Sequence, residues 1–566
     1  MPLYPVLVTI VFLLLTGCSE TKKKGDTPDV EAASKASADG VKPAAAITVA
    51  IAYGSEKKTW FEEQARAFEN SGAKTKDGRP IRIKADAMGS GEAMQGIAAG
   101  TLKPHVFSPA ASVYVSLLNG AWLSKAGHTK AIAPAGDALV LSPIVIAMWK
   151  SMAEALGWPT KPVSWRDLLK VSADPSGWGS LGHPEWGRLK LGHTHPEYSN
   201  SGLLAILVEA YAGAKKTRGL AIADLEAKPT LDFLTAVEGT VIHYGKSTGF
   251  FADKMLERGP GYISAAVLYE NLVIESYSKK SDAGTPVVAI YPVEGTFWSD
   301  HPYSILDADW VTGADREAAE AFLAFLKTKP AQERALALGF RPGDPAIPVG
   351  APVDAAHGVD PKQPQTLLEL PAAPVLEKLI ATWQLTKKAT NVVFVFDKSG
   401  SMQGRPLIEA KLGAKAFFQT LHDRDDVTLM FFDSMPYPAL GPLQLAKGRA
   451  ELDSRIDNTI AQGGTALYDA VADGYALAQK RAKAEPGRIH AVVVMTDGKD
   501  ERSKLPLSEL TKRFSSEDSQ VKVFTIAYGD ADPKVLEQIA DAAKGSAAKG
   551  SPETIVQVYK DMASFF

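Results

Sequence analysis

The sequence predicts an α/β protein built from more than one compact unit. Three observations carry that prediction. From residue 47 onward, short apolar runs alternate with longer stretches whose apolar residues recur at helical spacing. Runs such as TNVVFVF at 390–396 are apolar nearly throughout, the pattern of a central parallel strand covered by helices on both faces. The 566 residues also exceed what one hydrophobic core organises, so at about 100 to 200 residues per domain the chain divides into roughly three units.

Composition narrows the function classes. With 45% hydrophobic and 22% charged residues the chain is ordinary globular protein, and a formal charge of -3 gives no sign of a nucleic-acid partner. Cys18 is the only cysteine, which excludes a disulfide framework and a thiolate metal site.

Residues 6–15 form an apolar run too short to span a bilayer, which needs about 20, but suited to the core of a secretory signal. The following Leu15-Thr16-Gly17-Cys18 resembles the lipobox of bacterial lipoproteins, although the preceding MPLYP carries no Lys or Arg. The resemblance implies a signal peptide over 1–18, lipidation of Cys18 and anchoring to a membrane of the bacterial cell envelope, on its periplasmic or extracellular side. Residues 19–45 are rich in Lys, Asp, Ala, Ser and Pro with hardly a large apolar side chain, so they read as a disordered tether. A flexible coil of that length reaches about 30 Å.

The next unit spans 46–342. ITVAIAY at 47–53 reads as a strand, and Trp60, Phe61, Ala65 and Phe68 follow at helical spacing. IRIKADAM at 81–88 is a second strand and runs into Gly89-Ser90-Gly91. Similar polar turns precede helical stretches at Ser108 and at Tyr198-Ser199-Asn200-Ser201-Gly202. Free N–H groups at such helix starts attract anionic or strongly polar ligands, and the plainer role of the same residues is a helix N-cap.

Four segments together resemble type II periplasmic solute-binding proteins: LVLSPIVIAMWK at 139–150, PVSWRDLL at 162–169, HTHPEYSNSG at 193–202 and AFLAFLKTKPAQERALALGFRP at 321–342. The resemblance implies two lobes joined by extended crossovers, near 140–148 and 287–293, with a small solute bound between them. Candidate solute contacts are Ser90, Ser108, Ser199, Ser201 and Tyr269. The aromatic residues Trp178, Trp186, Tyr198 and Tyr244 could also line such a pocket, or pack the lobes. His193 and His195 suggest a metal only superficially, because no further His or Cys pattern accompanies them.

The linker, 343–388, lies in a segment that opens at Arg341 with the proline-rich RPGDPAIPVGAPVDAAHGVDPKQP, which reads as a stiff spacer. Val375, Leu376, Leu379, Ile380 and Trp383 then recur at helical spacing, predicting a short amphipathic helix that docks on a neighbour.

The last unit, 389–566, places polar residues where open parallel sheets bind ligands, at the carboxyl ends of strands. The strand at 390–396 ends in Asp397, Ser399 and Ser401, and IHAVVVM at 489–495 ends in Thr496-Asp497-Gly498. Between them, GGTALYDA at 463–470 puts Thr465 in a loop before a long helix, and 521–528 is a further strand. Two carboxylates and three hydroxyls suit Mg²⁺, Mn²⁺ or Ca²⁺ rather than zinc or copper. Neutral hydroxyl ligands leave a divalent ion with uncompensated charge, which a carboxylate from a partner can complete.

This constellation resembles the metal-ion-dependent adhesion site of von Willebrand factor type A domains, which are doubly wound and Rossmann-like. The resemblance implies that Ser399, Ser401 and Thr465 ligate directly and that Asp397 and Asp497 act often through water. It also implies a protein partner that supplies an acidic residue. Lys398 lies inside the motif at a variable position. A metal-dependent phosphoryl transferase would place a second aspartate where Ser399 stands, and neither a Walker loop nor a serine elbow is present, so no enzyme is expected. The expectation is therefore a membrane-anchored binding protein that captures a solute and docks a protein through a cation. Two alternatives stay open: the receptor of an ABC transporter with a passenger domain, or an envelope adhesion or assembly protein with a degenerate cleft.

Overall fold

A computed structural model describes residues 45–279, 284–514, 521–551, 554–563 and 565–566. Cys18, the lipobox and all but the last residue of the tether lie outside them. Among the described residues no helix is long and apolar enough to cross a membrane.

Three sheets organise the chain. The first runs Ile81–Met88, Ile47–Gly54, Val106–Ser108, Pro302–Ile305, Asp137–Ala138. Its first three strands are parallel, and helices connect them; Pro302–Ile305 joins antiparallel. The second sheet is built on Val140–Trp149, whose VLSPIVIAMW is buried at every position but one. A strand so apolar needs cover on both faces. It pairs with Trp298–Ser299, Ala265–Tyr269, Val287–Ile290 and Arg341–Pro342, and Leu191–Thr194 and Val241–Gly245 extend the sheet.

These two sheets are the two lobes. The chain leaves the first at Leu139, where the sequence places a crossover. It returns between Trp298–Ser299 and Pro302–Ile305, later than the expected 287–293, because Val287–Ile290 pairs inside the second lobe.

The third sheet has the order Leu440–Gln444, Asp426–Phe432, Thr390–Asp397, Ile489–Thr496, Val521–Tyr528, Ala547–Gly550, parallel except for the antiparallel edge strand Leu440–Gln444. Alternation along Thr390–Asp397 sends Phe394 and Phe396 to one face and Val393 and Val395 to the other. Phe394 packs on Phe417, Phe418 and Tyr559 at centroid distances of 5.4, 5.1 and 5.6 Å, whereas the valines meet Leu467 and Val471 across the sheet. Helices on both faces make this the doubly wound fold predicted.

The proline-rich stretch does not hold the parts at a distance. Val353, Val359 and Leu368 are buried, Leu368 N–H donates to Thr296 O at 2.9 Å, and Ala289 N–H donates to Gly358 O at 2.8 Å. Arg341 anchors it. Its guanidinium pairs with buried Glu270 through two bonds of 2.9 and 2.8 Å and also donates to the carbonyls of Pro361 and Gln363. The helix Ala373–Thr386 then docks on the second lobe, with fully buried Trp383 against His195 and Tyr244 at 4.8 and 5.2 Å.

The far end of the chain returns to the same wall. Tyr244 N–H donates to Phe565 O at 3.3 Å, and buried Lys387 donates from Nζ to Phe566 O at 2.6 Å. Lys246 of the second lobe pairs with Glu92 of the first at 2.8 Å and with Asp561 of the third unit at 2.9 Å.

Arg341→Ala leaves Glu270 as an unpaired buried charge and releases the connector. The expected loss is about 3 to 5 kcal/mol in urea denaturation.

Candidate functional site

Asp397, Ser399, Ser401, Thr465 and Asp497 converge at the carboxyl edge of the third sheet. Backbone bonds tie their loops together: Gly400 N–H donates to Gly463 O at 2.9 Å, Gln462 N–H to Lys398 O at 2.8 Å, and Ala466 N–H to Asp433 O at 2.7 Å. Within this frame Ser401 Oγ donates to Asp497 Oδ1 at 2.6 Å and lies 3.1 Å from Ser399 Oγ. Asp397 accepts from Ser399 N–H at 2.7 Å and from Thr496 Oγ1 at 2.5 Å. Thr496, the residue before the acid singled out in the sequence, is thus the positioning partner of Asp397.

The donor chemistry fits a hard divalent cation, since every side-chain ligand atom is oxygen. Gly498 keeps the cradle small: a Cβ there would stand 3.0 Å from Thr465 Oγ1 and 3.4 Å from Ser401 Oγ. Electrostatics agree. Burial pushes the Asp397 carboxyl up to about 6 against the bonds from Thr496 and Ser399, and the Asp497 charge adds to the rise. Burial likewise raises Asp497, with the Asp530 charge acting in the same direction. Two acids held unfavourably as anions are stabilised by a cation between them. Ser401 is exposed, so the edge opens to solvent. Lys398 turns aside, with Nζ on Asp433 Oδ2 and 4.3 Å above the Tyr437 ring.

The second candidate site, between the lobes, is closed. Gly91 N–H and Glu92 N–H of the helix Ser90–Ala99 both donate to Tyr198 O of the second lobe, at 2.9 and 3.1 Å. The close approach needs glycine, because a Cβ at Gly91 would lie 2.1 Å from Glu197 O and one at Gly89 2.2 Å from Tyr198 O. Each of the five hydroxyls proposed for solute is buried and bonded inside the protein. Ser90 Oγ accepts from Ala110 N–H at 3.0 Å, and Ser108 Oγ donates to Pro302 O at 2.8 Å. Ser199 and Ser201 share Thr248 Oγ1 at 3.1 and 2.8 Å, and Tyr269 Oη accepts from Asn200 at 2.8 Å.

Sequence reasoning missed the charges that fill this region. Glu56, Lys57 and His301 are buried together, with Glu56 3.1 Å from Lys57 and 3.2 Å from His301. Adjacent Glu56 and Lys57 look like solvated surface in a sequence; only the crossover that carries His301 brings them inside. Of the aromatic candidates, Trp178 and Tyr244 are fully buried in packing, and Trp186 stacks on His183 at 3.8 Å.

Two lobes joined by crossovers, followed by a doubly wound domain with an oxygen-rich edge, define a solute-binding protein fused to an adhesion-type domain. The chain belongs to the family described as bacterial extracellular solute-binding protein, which it matches over residues 49–341, and it carries a von Willebrand factor type A domain over 391–559. An uncharacterized protein of Synechocystis sp. is 31% identical over 157 residues, 28% of this chain and 36% of that one. One from Mycobacterium tuberculosis is 27% identical over 259 residues, 44% and 35% of the two chains. The chain thus spans about a third of the length of these relatives. Among solved structures, a periplasmic thiamin binding protein is 14% identical with a TM-score of 0.41 over 60% of this chain and 96% of that one. A von Willebrand factor type A protein from Catenulispora acidiphila is 25% identical with a TM-score of 0.28, covering 31% and 42%.

Asp397→Asn removes a carboxylate whose burial is unfavourable. Because its folded pKa, about 6, lies above the usual 3.8, the acid's contribution is fully present below pH 3.8 and lost above about 6. At pH 7 the metal-free variant should therefore match or exceed the parent in stability, by at most about 3 kcal/mol. A cation bound at this edge would lose one of its two carboxylates, so any melting-temperature rise on adding Mg²⁺ should shrink or disappear in the variant.

Proposed function

We propose that this chain is an extracytoplasmic, lipid-anchored binding protein whose C-terminal domain docks a protein partner through Mg²⁺, Mn²⁺ or Ca²⁺ held by Asp397, Ser399, Ser401, Thr465 and Asp497. The observation that carries the reading is the convergence of these five oxygen-bearing side chains at one sheet edge that opens to solvent at Ser401. Ser399, Ser401 and Thr465 would hold the cation directly, and Asp397 and Asp497 would balance its charge from beneath. A cation so held supplies an electrophilic position that an acidic side chain of the partner completes. The closed frame of backbone bonds pre-sets the hydroxyls, so little ordering entropy is lost on docking. Lys398, tied to Asp433, leaves the approach to that edge to the acid.

Co-purification with and without chelator tests the docking. A partner recovered with Mg²⁺, lost with EDTA and lost from Asp397→Ala supports the reading, and identical recovery in all three conditions refutes it.

A second reading is favoured by the closed cleft. There the two lobes serve as a rigid platform for adhesion or envelope assembly and take no solute, since the Tyr198 carbonyl already occupies the helix start and every proposed hydroxyl is bonded internally. A thermal-shift screen across oxyanions, sugars, amino acids and thiamin separates the two. Stabilisation by any of these solutes supports capture between the lobes, whereas none favours the platform.

A further inference from the structure

The second lobe contains a group of ionisable side chains that neither the cleft nor the cation edge uses. His193 on Leu191–Thr194, Glu209 on Asn200–Ala214 and Glu238 at the end of Lys228–Glu238 are all fully buried, and one ligand atom from each lies within 4.8 Å of the others. Glu209 is the only charged residue of its helix, which is buried at every position except its last. Among the described residues both of its carboxylate oxygens are without a hydrogen-bond donor. An isolated carboxylate in such surroundings is costly unless something neutralises it.

The neighbours are arranged as supports for a metal ligand set. His193 Nδ1 lies 2.7 Å from Thr194 O, which only accepts, so Nδ1 carries the proton and Nε2 faces Glu238 Oε1 at 3.1 Å. Such a backbone bond is how ligating histidines are oriented. Tyr244 Oη donates to Glu238 Oε2 at 2.7 Å and fixes the second acid. Lys387 and Lys388 feel the Glu238 charge, but among the described residues neither forms an ion pair with Glu209 or Glu238; Lys387 instead donates to Phe566 O. With both acids ionised and the imidazole neutral, the three groups carry a charge that a single divalent ion cancels.

We propose that His193, Glu209 and Glu238 form a buried structural site for a first-row divalent metal ion, with zinc as the ion that best suits one nitrogen and carboxylate oxygens. The ion is taken up as the lobe folds, since the site has no exposed face. Its position gives it a role at the domain junction. Tyr244, which holds Glu238, packs on Trp383 and donates its N–H to Phe565 O, so the metal would stiffen the wall on which the connector helix and the chain end rest. His195 is not a member: its Nδ1 accepts from Glu197 N–H at 3.3 Å and its ring packs on Trp383.

The test is metal analysis of the full chain, expressed with zinc and dialysed against EDTA to strip the exposed edge site. The wild type and Asp397→Ala should each retain about one equivalent of zinc, and Glu209→Gln should retain less than about a tenth. X-ray absorption at the zinc edge on the wild type, which needs no variant to fold, should report nitrogen and oxygen ligands at about 2.0 to 2.2 Å. Less than about a tenth of an equivalent of zinc in the wild type overturns the proposal, as does equal retention by Glu209→Gln. Wild type prepared without zinc that melts at the same temperature as the zinc-loaded protein would identify the group instead as a carboxyl pair sharing a proton, and would also overturn it.

Discussion

Lys246 holds a carboxylate from each of two other parts of the chain, Glu92 in the first lobe and Asp561 in the last helix, while itself belonging to the second lobe. Its ammonium is the point at which the closed cleft and the docked C-terminal domain meet. Burial would depress this lysine, yet Glu92 and Asp561 together hold it above the ordinary lysine value. Ion pairs at a side chain still 30% exposed are worth little individually, about 1 kcal/mol or less. The adhesion between the units must therefore come mainly from apolar burial: Trp383 packs on His195 and Tyr244 of the second lobe, and Phe565, whose carbonyl accepts from Tyr244 N–H, packs on Phe524 of the third sheet. Lys246 sets the geometry that the apolar wall then holds.

What the sequence made legible follows from how local the signal is. That five oxygen-bearing side chains would gather at one sheet edge was readable because each sits at or just after a strand's end or before a helix, where the chain's own pattern of apolar runs fixes its place. The doubly wound sheet was readable from the same runs. Lys398 was not, since its orientation depends on Asp433, which lies a strand away and enters only through the pairing of Thr390–Asp397 with Asp426–Phe432. The group around His193 was invisible for a related reason. Its other members are glutamates on two separate helices, and only helix packing inside the second lobe shows that they face a histidine.

The connector shows a different limit. Its prolines and absence of periodicity argue correctly against regular structure, but irregular does not mean detached. A chain without helices or strands still has carbonyls and amides to satisfy, and here they bond to Thr296, Ala289 and the Arg341 guanidinium. Once wrapped in this way, the segment fixes the start of Ala373–Thr386, and that helix in turn fixes where the strand bearing Asp397 begins. The distance between the cleft and the oxygen-rich edge is thus set by packing rather than by the reach of a linker.

The closed cleft carries its own energetic argument. The start of the helix Ser90–Ala99 offers two amide donors, a place where an anion would gain from the helix dipole. Tyr198 O takes both donors, and the missing side chains of Gly89 and Gly91 are what let that carbonyl approach. A solute entering here has to replace two backbone bonds and part Glu92 from Lys246 as the lobes separate. A fully charged oxyanion accepts more strongly from such donors than a neutral carbonyl does, by roughly a factor of two per bond. A neutral solute has no comparable advantage and would have to recover the lost bonds through new contacts with the buried Glu56, Lys57 and His301.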